Sequence, residues 1–97
     1  MARIVYCARA LDHLEGAFES LRAQNPEAAG HAAHAIASAV DNLASHPLTG
    51  RRIDDEVREL VISYGETGYL ALYRFAVPQD EVRVLAIRHQ REVGHLP

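Results

Sequence analysis

The sequence predicts an α+β domain: a small antiparallel sheet in the order β-α-α-β-β-β, with an N-terminal helical hairpin packed on one face. Three observations carry this. Apolar residues recur every three to four positions between residues 8 and 44, the period of amphipathic helices. From Val57 to His89 the period becomes two, the signature of strands. Short runs rich in Gly, Pro and Asp separate those strands and suit hairpin turns.

Arg3-Ile4-Val5-Tyr6 is a short strand, β-branched and aromatic. Leu11, Leu14, Phe18 and Leu21 then fall on one helical face, with Asp12, Glu15, Glu19 and Arg22 mostly on the wet side. At Gln24-Asn25-Pro26-Glu27 one helix stops and another starts. Asn25 is suited to the N-cap, Pro26 to the first helical position, and Glu27 to the positive helix end. The second helix carries Ala29, Ala33, Ile36, Val40 and Leu43 as one stripe. Its small residues let a partner helix approach closely, giving an αα-hairpin. His46 to Gly50 breaks the pattern, and Arg51 to Glu56 reads as an exposed loop. Strands follow at Val57–Tyr64, Tyr69–Val77 and Val82–His89, with turns at 65–68 and 78–81.

Strict alternation groups Arg58, Leu60, Ile62 and Tyr64 on one side of their strand. It separates Tyr69, Ala71, Tyr73 and Phe75 from Leu70, Leu72 and Arg74, and Arg83, Leu85, Ile87 and His89 from Val82, Val84, Ala86 and Arg88. Both sides of the sheet are therefore substantially apolar. The helices cover one, and another chain is a candidate to cover part of the other.

The chain has 97 residues, one domain's worth spanning 1–97. Apolar content of 48% and charged content of 24% fit a soluble globule. No apolar run approaches the ~20 residues that cross a bilayer, and MARIVYCAR is too short and polar for a signal peptide, so a cytoplasmic location is the default expectation. Cys7 is the single cysteine, which excludes an intramolecular disulfide and argues against a thiolate metal site. All ten basic residues are Arg, alongside sixteen Ala; GC-rich coding bias accounts for both. A net charge of −3 argues against strong binding to free nucleic acid. Residues 51–97 hold seven of the ten Arg, so any cationic patch must come from that half.

The phrases HPLTGRR, VRELVISYGETGYLALYRF and VRVLAIRHQREVGH resemble the RelE/ParE superfamily, the toxins of bacterial type II toxin–antitoxin pairs. The resemblance covers nearly the whole chain and is strongest from Pro47 to His95, where REL, GYLALYR and VLAIRHQRE occur together. It implies the fold already read from periodicity, and a cognate antitoxin with an acidic, apolar segment that wraps the toxin. It implies no cofactor and no metal. RelE-like members cut mRNA at the ribosomal A site by general acid–base chemistry; ParE-like members poison DNA gyrase and are not nucleases. Three departures favour the gyrase branch. Leu70 stands where many nuclease members carry a catalytic Arg, Gln90-Arg91 replaces the nuclease-type His-Tyr ending, and the chain is acidic and free of Lys. A ribosome-dependent endoribonuclease is the alternative.

The candidate target- or antitoxin-binding residues are Arg58, Arg74, Arg88, His89, Arg91 and Glu92. In the nuclease alternative, Arg58, Arg74, Arg88 and His89 would stabilise phosphate charge and move a proton. The bland reading gives Arg88 to Glu92 or Glu59, and Arg58 and Arg74 to Glu59, Glu66 or Asp80, because a half-buried guanidinium needs an anion. Arg51-Arg52 is neutralised locally by Asp54-Asp55-Glu56. His31 and His34 lack a third metal ligand, and Tyr69, Tyr73 and Phe75 read as sheet core rather than a base-stacking platform.

Overall fold

A computed structural model of the chain describes residues 1–64 and 67–90. Strand β1 (Arg3–Tyr6) leads into helices α1 (Ala8–Gln24) and α2 (Pro26–Asp41). After a 3-10 turn at Asn42–Ala44 come β2 (Arg51–Arg52), β3 (Val57–Tyr64), β4 (Thr67–Ala76) and β5 (Glu81–His89). One five-stranded sheet results, in the order β1-β5-β4-β3-β2. The β3-β4-β5 meander is antiparallel, as alternation requires.

Two details depart from the sequence reading. β1 runs parallel to β5, so the sheet is mixed rather than wholly antiparallel. The two intervening helices supply the crossover that a parallel pair needs. Arg51-Arg52, expected in a loop, forms the edge strand β2 against Arg58 and Glu59.

The connection between the helices forms as its residues dictate. The Asn25 side chain accepts from the backbone N–H of Glu27 (3.1 Å) and Ala28 (3.3 Å), and Pro26 opens the helix. α2 buries Ala29, Ala32, Ile36 and Val40. On α1, Leu14 and Leu21 pack against the core, whereas Leu11 is exposed, contrary to its place in the expected stripe. The closing turn at Val77–Gln79 ends at Asp80, in the left-handed region at φ 49°, which Asp tolerates better than most residues.

β1 is too short to cover all of β5, and α1 takes over where it ends. Cys7 donates its backbone N–H to Val84 (3.0 Å) and its thiol to the Leu85 carbonyl (3.2 Å). Further along, the Ile87 N–H donates to Nδ1 of His13 (3.2 Å). Buried backbone groups must find such partners, and here a helix supplies what a strand does not.

Candidate functional site on the open sheet face

A register shift between Leu72 and Tyr73 decides which side chains share a face. Leu72 pairs with Ala86 but Tyr73 pairs with Val84, so Leu85 is an extra residue, a β-bulge. Strict alternation had grouped Arg83 with Ile87 and His89. The bulge reverses this: Val82 and Val84 join Ile87 and His89 under the helices, and Arg83 moves to the side of Arg88. The burial of Val82 and Val84, both fully inside, follows from it.

The helix-covered face spends its polar groups on architecture. Arg58 lies there opposite Tyr73. Its Nη1 donates to the carbonyls of Leu48 (3.2 Å) and Gly50 (2.8 Å), and not to Glu59 or Asp80 as expected. The fully buried Tyr73 accepts from the Gly50 N–H (2.8 Å) and donates to the Pro47 carbonyl (2.8 Å). Burial pushes the Tyr73 phenol above its ordinary pKa. A Cβ on Gly50 would lie 2.6 Å from the Tyr73 ring, so Gly is required where the loop crosses it. Together Arg58 and Tyr73 staple the segment Pro47–Gly50. His89 is also on this face, its ring meeting Tyr69 edge-on at 5.2 Å.

Among the described residues, no α-helix longer than a turn packs on the opposite face. Its centre is apolar: Leu70 and Ala86 are buried, Leu72 is half-buried and Val61 is 55% exposed. Around that centre stand five Arg (Arg3, Arg51, Arg74, Arg83 and Arg88) against Glu59 and Glu81 on the strands. Glu81 is buried between Arg3 and Arg83, each at 2.6 Å, and their hydrogen bonds, that from Arg83 foremost, hold its carboxyl below the usual range. Arg51 pairs with Glu59 at 2.9 Å. Arg52, at the same edge, reaches Asp55 at 3.4 Å.

The remaining cations are less satisfied. Arg74 sits directly opposite Arg83, a like-charge pair across two strands, and among the described residues reaches only Glu56, at 4.0 Å. Arg88 is exposed, pairs in register with Leu70, and makes no salt bridge among the described residues. The helices carry the reverse imbalance, with Asp12, Glu15, Glu19, Glu27 and Asp41 against Arg9 and Arg22. Charge is thus segregated: acidic helices behind, a cationic rim in front.

The four residues of the nuclease alternative do not gather. Arg74 and Arg88 are on the open face; Arg58 and His89 are on the other. Arg91 and Glu92 lie outside the described residues. The sequence reading missed Arg3, Arg51 and Arg83. For Arg83 a signal existed: the apolar spacing Val82, Val84, Ile87 skips a beat, as a bulge requires.

The chain matches, over residues 4–94, the family described as "ParE toxin of type II toxin-antitoxin system, parDE". It is 42% identical over 67 residues to a protein named Toxin RelE3 of Caulobacter vibrioides, covering 69% of this chain and 71% of that one. Its fold is similar to a chain in the structure titled "Chromosomal ParDE TA system from P. aeruginosa", with a TM-score of 0.74, 22% identity, and coverage of 92% and 96%. The chain belongs to the ParE toxin family and is the toxin component of a type II toxin–antitoxin system.

Proposed function

We propose that this toxin is a ParE-like poison of DNA gyrase, and that it acts as a protein-binding module through the open sheet face. The observation that carries the reading is Leu70, buried beside Arg88 at the centre of that face. A nuclease would need a cation there to meet developing phosphate charge, and a titratable group near neutrality to move the proton. Both strand carboxylates of the face are held by Arg, and His89 is on the far side of the sheet. An apolar centre ringed by exposed guanidinium groups suits a protein partner with apolar anchors and flanking carboxylates.

The cognate antitoxin is the second partner of this reading. Its acidic, apolar segment would oppose Arg74, Arg83 and Arg88, with apolar anchors on the sheet and the helical hairpin. A groove of about 310 Å³ between α1 and α2, lined by Leu14, Phe18, Leu21, Ala33, Ile36 and Tyr69, offers a seat for such an anchor. The likeness to a protein named Toxin RelE3 favours keeping ribosome-dependent mRNA cleavage as the second reading.

A gyrase supercoiling assay run beside ribosome-programmed mRNA cleavage separates the two. Inhibited supercoiling with intact mRNA is the expected result. Cuts confined to the A-site codon, with gyrase unaffected, would overturn it.

A further inference from the structure

We infer that the free toxin self-associates through the part of the β3 edge that lies beyond β2, pairing antiparallel with β3 of a second copy. β2 covers only Arg58 and Glu59 of that strand. The Ile53 N–H donates to the Val57 carbonyl (2.9 Å), so residues 57, 59, 61 and 63 are those whose backbone groups point to the β2 side. Beyond β2, the N–H and C=O of Val61 and Ser63 therefore face outward, and both residues are exposed. No backbone bond reaches them among the described residues.

Soluble proteins protect such edges with charge, proline or a bulge. Leu60-Val61-Ile62-Ser63-Tyr64 has none of these. The neutrality extends to the helix above it. α2 is the helix that packs on β3, where the Tyr64 hydroxyl donates to the Ala28 carbonyl (2.9 Å). From Ala28 to Val40, α2 contains no Asp, Glu, Lys or Arg; its exposed residues there are Gly30, His31, His34, Ala37 and Ser38.

These features fit a second copy better than an arbitrary strand. A two-fold axis through the strip brings residues near the axis beside their own counterparts, so a charge there would face its own copy, and a chain with 24% charged residues keeps this strip clear. Pairing about Ile62 sets Val61 opposite Ser63 of the copy. Each such pair exchanges both of its N–H···O bonds, and the α2 helices come side by side above the seam. Arg51, opposite Glu59, stops the register at Leu60, so only Leu60–Tyr64 can pair. The contact is short, and the dimer is accordingly weak and dependent on concentration.

Sedimentation of the full chain without antitoxin, over about a hundredfold range of concentration, tests this. A reversible monomer–dimer equilibrium is expected. Ser63→Pro removes an outward N–H that bonds nothing among the described residues and puts a ring in the partner's path. Val61→Lys places a charge against the seam. Each should weaken the dimer at least ~10-fold with an unchanged melting temperature. Val77→Lys, at a still more exposed apolar residue by the β4–β5 turn, should leave it intact. Should Ser63→Pro fail to fold, Val61→Lys decides alone. A monomer at every concentration, or a dimer that Val61→Lys leaves unaltered, would overturn the inference.

Discussion

The two faces of one sheet use the same residue type to opposite ends. Under the helices, Arg58 gives its donors to two carbonyls and Tyr73 closes the same loop, so every buried side-chain N and O among the described residues has a partner. On the open face Arg74 and Arg88 are left nearly unpaired among the described residues, around an apolar centre. Polar groups that hold the fold are satisfied within the chain, whereas groups that await a partner are not. The contrast separates an arginine satisfied by the fold from arginines that are not, which composition alone could not do.

The sharpest way to break the comparison is to attack the closed face. Tyr73→Ala removes the largest fully buried side chain together with both loop hydrogen bonds, and a loss of about 3–5 kcal/mol is expected in urea unfolding. Arg58→Ala frees two carbonyls of the loop and should cost about 1–3 kcal/mol. If Arg58→Ala instead left stability unchanged and abolished target binding, Arg58 would belong with the recognition group.

The acid limb of stability tests the junction between the faces. Glu81, held by Arg83 and Arg3, and Asp54, held first by the N–H groups of Glu56 and Val57, both have lowered pKa values. A carboxylate depressed in the folded state contributes stability above its unfolded pKa of roughly 4 and loses it as pH falls through the folded value. Melting temperature should therefore drop at the acid end, and less steeply in Glu81→Gln. The smallest effect belongs to the open face. Arg74→Thr relieves the opposition to Arg83 and should raise stability by a few tenths to about 1 kcal/mol, read from the same unfolding curves.

Periodicity was sufficient for the helices, the Asn25 cap and the three-stranded meander, because each is specified by local residues. Two features depend on which segments come to lie side by side and were not legible. β1 finds β5 across 78 positions, as the Arg3–Glu81 bond records. Arg51-Arg52 becomes a strand only because Glu59 and Arg58 lie beside it. The site was half legible. Alternation put Arg74 and Arg88 in one sheet without bringing them to one face, and one extra residue at Leu85 hid Arg83 by turning it to the other face. Arg58 was misjudged because carbonyls of a loop, invisible to residue type, satisfy it as fully as a carboxylate.

On the proposed reading, the open face is where this toxin engages a protein target. The direct measurement is inhibition of gyrase supercoiling by the wild-type chain and by Arg74→Glu/Arg88→Glu, with melting curves taken on both. Inhibition by the wild type is expected, with at least ~100-fold weaker inhibition by the double variant at an undiminished melting temperature. Equal inhibition by the two proteins would contradict it.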